Sequence, residues 1–92
     1  MARRYNVTGQ VYSGTKQVSI DDLCCSFTVL NKGNTKVTFN GIPINPNDSV
    51  DVRGEADWFF GGRADMAFDA TGVTAPVNQV WVIQLIDLGW DK

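Results

Sequence analysis

Apolar side chains in this chain recur at every second position, in short runs that end at Gly, Asn or Pro. Period two is the spacing of a strand that buries one face, whereas a helix would bring apolar residues back after three or four. Tyr5, Val7 and Val11 alternate with Asn6, Thr8 and Gln10. Cys25, Phe27 and Val29 form a second run, Val37 and Phe39 a third, and Val50 and Val52 a fourth. Met66, Phe68 and Ala70 alternate with Asp65, Ala67 and Asp69. Residues 77–88 differ, with Trp81, Ile83 and Leu85 on one face and Val80, Val82, Ile86 and Leu88 on the other. Such a segment is a central strand or one that packs on a partner. Composition agrees: Glu occurs once, at Glu55, and Leu four times, so strong helix formers are scarce.

The breaks between runs carry turn chemistry. Ser13-Gly14-Thr15-Lys16, Asn31-Lys32-Gly33-Asn34 and Asn40-Gly41 supply residues that accept positive φ. Pro43 and Pro46 flank Ile44 and exclude a central hydrogen-bonded strand there, leaving an edge segment or a corner. Asp21-Asp22-Leu23 reads either as one helical turn or as a bend between strands. With 92 residues, no repeat and no linker, the chain is predicted to be one all-β domain over 1–92. The expected form is a compact antiparallel β-sandwich of about seven short strands, with a small, partly open barrel as the alternative. Residues 1–4 form a candidate basic N-terminal arm.

The available chemistry is sparse. There is no histidine, so a Ser or Cys nucleophile would have only Lys or a carboxylate as its base. Asp57, Asp65 and Asp69 are the candidate acid–base carboxylates, although aspartate is also routine at turns and on strand exteriors. No catalytic site and no cofactor are expected. Cys24 and Cys25 are adjacent, and neighbours on a strand point to opposite faces, so they are predicted to remain thiols, as suits a reducing cytoplasm. They cannot complete a zinc site alone. Asn45, Asn47, Asp48 and Asp51 cluster oxygens around a proline turn without a helix–loop–helix calcium pattern, and no metal is expected there. The formal charge is −2. That balance disfavours nucleic-acid and anionic-membrane binding, and no apolar run is long enough to span a bilayer as a helix.

What remains points to contact with protein. Trp58, Phe59 and Phe60 are consecutive and cannot all face one core from an extended segment. Either one of them anchors a partner, or a bulge lets all three fill the end of the sandwich. Arg63 follows Gly61 and Gly62. Trp58, Phe59, Phe60 and Arg63 are the candidate interface anchors, with Arg3 and Arg4 as a salt-sensitive tether. Residues 1–40 carry five basic and two acidic groups, and residues 41–92 three and eight, a split that suits packing against copies of the same chain.

A longer pattern lies in Asn31-Lys32-Gly33-Asn34, the strand Thr35 to Asn40, then Gly41-Ile42-Pro43-Ile44 and Pro46-x-Asp48-Ser49-x-Asp51-Val52. Over residues 27–54 it resembles the small all-β structural proteins of tailed bacteriophages, some from phages of gut Bacteroidota. The resemblance implies a virion component made in the host cytoplasm, as an auxiliary or decoration protein on the capsid, with a tail, neck or fibre position close behind. Its expected partners are copies of itself, a major capsid protein or another virion protein, rather than a small-molecule substrate. The competing class is a carbohydrate-binding or adhesin-like sandwich, with Trp58, Trp81 or Trp90 stacking on a sugar.

Overall fold

The computed structural model describes residues 3–14, 16–54 and 60–90. These form β1 (Arg3–Tyr12), β2 (Lys16–Asn31), β3 (Lys36–Phe39), β4 (Ile42–Ile44), β5 (Ser49–Arg53), β6 (Phe60–Asp69) and β7 (Val80–Trp90). All pairings are antiparallel, and no helix occurs among the described residues. Hydrogen bonds link the strands into one sheet of order β1-β7-β2-β6-β3-β4, with β5 also on β2, and this sheet curls into a half-barrel. The all-β reading and its seven strands therefore hold. The two facing layers of the expected sandwich are halves of one curled sheet.

β2 joins those halves. Residues 24–31 pair with β7, and residues 26–30 also pair with β5, while residues 16–24 pair with β6. Tyr12 pairs with Val80 and Val80 with Asn31, so β1 ends beside the end of β2. The four Cα–Cα steps from Tyr12 to Lys16 reach at most ~15 Å. The first half of β2 must therefore double back over β7. Register shifts fall at that bend, between Ile20 and Cys24 toward β6 and between Cys24 and Ser26 toward β7. Asp21 Oδ1 accepts the Leu23 amide at 2.8 Å, which makes this stretch the bend and not the helical turn. β5 and β6 follow the same edge of β2 in succession. Arg53 faces Ser26, Gly54 donates its amide to Cys25 O at 3.2 Å, and Phe60 faces Cys24.

The core lies inside the curl. Val18 and Ile20 come from the folded-back half of β2, Val29 from the other half, Val37 and Phe39 from β3, and Val80, Val82 and Ile86 from β7. Asn40 and Gly41 both have positive φ, 49° and 87°, and join Phe39 to Ile42 as the two-residue turn that matches strand twist. Asn31 sits at the closed end and is fully buried. Its Nδ2 donates to Thr35 O at 2.7 Å and Ile44 O at 3.0 Å, and its Oδ1 accepts the Gly33 amide at 3.1 Å. One polar side chain thus ties the ends of β2, β3 and β4 together.

Three local expectations change. β1 is not half-buried: residues 4–11 are exposed on both faces. Tyr5, Val7 and Val11 lie on the side of the sheet away from the folded-back layer, and that layer stops short of Asn6, Thr8 and Gln10 on the other side. Leu88 is exposed at 53%, since β2 pairs with β7 no further than Ile86. The cysteines exchange roles. Cys25 is the extra residue of the bulge between Cys24 and Ser26, so Cys24 enters the core and Cys25 is left half-buried.

Candidate protein-interaction face

β7 is apolar on both faces, and the structure assigns each face a role. Val80, Val82 and Ile86 fill the core, while Trp81, Ile83 and Leu85 turn outward. On β1, Val11 lies opposite Trp81, Gly9 opposite Ile83 and Val7 opposite Leu85. On β2, Leu30 lies opposite Trp81 and Thr28 opposite Ile83. Directly paired residues share a face. The outer surface of β1 and β7, with Leu30 of β2, is therefore an apolar band, and Thr28 and Ser26 of β2 mark its polar margin.

Its exposure is large. Tyr5 is 51% exposed, Val7 64%, Val11 60% and Trp81 41%. Gly9 contributes no side chain, and the space it leaves opens a shallow depression of about 230 Å³ bounded by Gln10, Val11, Trp81 and Ile83. That is below the ~300 Å³ at which small-molecule pockets begin, and it suits one inserted side chain. Charges stand at the rim. Lys32 Nζ lies 5.7 Å from the centre of the Trp81 ring, and Asp51 and Arg53 pair at 3.8 Å on β5. An apolar, aromatic centre with charge at the margin is the anatomy of a protein contact surface.

The residues singled out from sequence fall in different places. Trp58 and Phe59 lie outside the described residues, as do Asp57 and the side chains of Arg3 and Trp90. Phe60 is half-buried and points inward, with its ring 5.7 Å from Phe27 in an edge-to-face contact, and Phe27 lies 6.0 Å from Phe39. Arg63 is exposed on β6 and donates to Gln17 Oε1 at 3.4 Å, and Gln17 donates to Asp65 at 3.1 Å. Arg4 is exposed at the start of β1. The structure does not bring Phe60, Arg63 and Arg4 onto one surface. The residues it does gather, Val7, Val11 and Trp81, carried a signal in sequence: an alternating β1 beside a β7 with two apolar faces.

Asp65 and Asp69 line neither the depression nor the second cavity described below. Asp69 accepts the Thr71 amide at 2.9 Å and the Thr71 hydroxyl at 2.6 Å, and these bonds, helped by Lys36, hold its carboxyl below the usual range. Among the described residues, no three His, Cys, Asp or Glu side chains converge on a metal-sized site. Asp51 lies in β5, past the proline turn, and accepts the Thr28 hydroxyl at 2.7 Å. A second apolar cavity, of about 200 Å³, lies in the seam between β4 and β5, walled by Phe27, Phe39, Ile42, Ile44 and Val50. Compared with known protein families, curated proteins and solved structures, the chain matches none.

Proposed function

We propose that this chain is a non-enzymatic structural subunit of a bacteriophage virion, an auxiliary or decoration protein that binds the capsid through the outer face of β1, β7 and β2. One observation carries the mode of action: the exposed apolar band through Val7, Val11 and Trp81 on a small domain. Burying such a band stabilises by about 25 cal/mol per Å² of apolar surface, which a second protein surface supplies and water does not. The resemblance over residues 27–54 supplies the setting. A tail, neck or fibre position would use the same face.

The test is a search for the chain in purified particles of the phage that encodes it, with copy number from quantitative mass spectrometry, followed by rebinding of Trp81→Ala and Val11→Asp variants to stripped particles. The reading expects a fixed stoichiometry and weakened rebinding by both variants. Absence from particles, or rebinding equal to that of the parent chain, overturns it. One observation favours a carbohydrate-binding reading second: the exposed Trp81 ring has Lys32 Nζ 5.7 Å from its centre, an aromatic platform with a charged group beside it. Glycan binding lost in Trp81→Ala would move that reading ahead.

A further inference from the structure

We propose that the free edge of β1 pairs antiparallel with β1 of a second copy, so that two chains share one continuous sheet about a two-fold axis. This deepens the packing reading above by naming the partner of the edge beside the apolar band. β1 is ten residues long and ends the strand order, and among the described residues it pairs with β7 alone. Natural sheets protect a long edge with Pro, Lys, bulges or a covering element. β1 has neither Pro nor Lys, and its one register irregularity lies between Arg4 and Tyr5. From residue 4 to residue 11 nothing in the described fold covers either face.

The sequence of β1 complements itself in one register. With Thr8 on the axis, Thr8 meets Thr8 of the second copy, Val7 meets Gly9, Tyr5 meets Val11 and Asn6 meets Gln10. Each pair joins residues of the same face. Aromatic with β-branched, Thr with Thr and amide with amide are favourable cross-strand pairs. Charge selects the direction. Antiparallel pairing in this register leaves the two Arg4 residues eight positions apart, ~27 Å, beyond the ~8 Å screening length at physiological ionic strength. A parallel pairing in register would stack Arg3 and Arg4 on their own copies. The same two-fold joins the apolar bands of the two copies into one surface twice as wide.

Area sets the strength. An antiparallel edge of this length is ~34 Å long and a sheet is ~10 Å thick, so the edge covers on the order of 300 Å² per copy, against ~800 Å² in a stable interface. The pair in solution is therefore weak and concentration-dependent, and it strengthens where the shared band is also covered.

The experiment is oxidative cross-linking of the full chain carrying Thr8→Cys, with the parent chain and an exposed Thr74→Cys variant as controls for the native thiols and for random encounter. An equimolar mixture of Asn6→Cys and Gln10→Cys chains tests the register without changing residue 8. The proposal expects covalent dimer from Thr8→Cys at least about tenfold faster than from Thr74→Cys, since a paired thiol meets its partner at a much higher effective concentration. It also expects the mixture to couple faster than either variant alone, and Val7→Lys added to Thr8→Cys to abolish the gain. Cross-linking no faster than the Thr74→Cys control in both the single variant and the mixture overturns it. Particle rebinding separates the two claims. If Trp81→Ala weakens rebinding while Thr8→Cys fails to couple, the edge pairing falls and the packing face stands; the reverse result leaves the dimer and removes the packing face.

Discussion

Gln84 on β7 is hydrogen-bonded to Asp21 across the curl of the sheet: its Oε1 accepts the Asp21 amide at 2.9 Å, and its Nε2 donates to Ser19 O at 3.3 Å. The side-chain amide does there what a peptide group does in a regular ladder. Gln84 itself still pairs with Phe27 in the second half of β2, so its side chain holds the folded-back first half onto the strand that half covers.

Replacing Gln84 with Leu keeps the approximate volume and removes both bonds. The Asp21 amide and the Ser19 carbonyl then lose their partners in a partly buried site, at about 1–3 kcal/mol. The expected result is a Tm lower by roughly 4–8 °C for each kcal/mol lost, measured by scanning calorimetry. A Gln84→Leu chain that melts with the parent would show that water replaces the amide at no cost.

Gly33 has no room for a methyl group. A Cβ at this position would overlap Val77 O and stand 2.8 Å from Gln79 N, both backbone atoms. The approach is close because Lys32 and Gly33 both donate their amides to Gln79 O, at 2.9 and 3.0 Å, clasping the β2–β3 turn to the segment before β7. Gly33→Ala is expected to destabilise by about 1–3 kcal/mol, the range of overpacking. Gly14→Ala, with open space around its Cβ, serves as the control. Urea midpoints of the two variants make the comparison.

The period-two pattern made the strands legible, because a one-sided strand must place its apolar residues that way. Val37, Phe39 and Met66 are inward as their alternation requires. Alternation does not say which layer covers which strand. For β1 the same pattern that reads as a core face is an outer one, since Val7 and Val11 pair with Leu85 and Trp81 on the side of β7 that looks away from the folded-back layer. Nor does it locate a bulge, and one extra residue at Cys25 was enough to reverse the two cysteines. The candidate site was visible in the two-faced β7, whereas the alternation of β1 did not say that its apolar face looks outward. The aromatic run drew attention for its bulk, yet Phe60 is needed inside, against Phe27.

The cysteines give a direct probe of that bulge. Cys24 is fully buried, and burial pushes its thiol above the ordinary value, whereas Cys25 is half-buried. The thiolate is the reactive form, so alkylation in the native state is expected to label Cys25 first and Cys24 only through opening of the fold. Peptide mapping after timed iodoacetamide treatment reads the order. Equal rates at the two positions would place both thiols outside the core.

Asp69 fixes the turn after β6 through Thr71, and its carboxyl is held below the ordinary 3.8, chiefly by the Thr71 hydroxyl and amide. A depressed carboxylate contributes stability that is fully present above its unfolded value and is lost as pH falls through the folded one. The Thr71 contact should therefore persist down to pH 3.8 and loosen only below it. NMR titration of the Asp69 carboxyl should give a midpoint under 3.8, and Asp69→Asn should flatten the acid response of the Thr71 amide. A midpoint at or above 3.8 contradicts the hydrogen-bonded turn.

Salt separates two ways in which the chain can hold a partner. A tether through Arg3 and Arg4 weakens as ionic strength rises, because exposed charges are screened over ~8 Å at 0.15 M and ~3 Å at 1 M. The band through Val7, Val11, Trp81, Ile83 and Leu85 carries no charge, and its burial is unaffected by screening and strengthened by sulfate. Particle or self-association governed by this face is thus expected to survive 1 M sodium chloride and to tighten in ammonium sulfate. Val11→Asp places a carboxylate beside Trp81 and should weaken association at every salt concentration, while Arg4→Gln should change it little. Sedimentation of chain with and without particles across the salt series measures all three effects. Release by salt alone, with Val11→Asp behaving as the parent, would transfer the binding from the apolar face to the arginine arm.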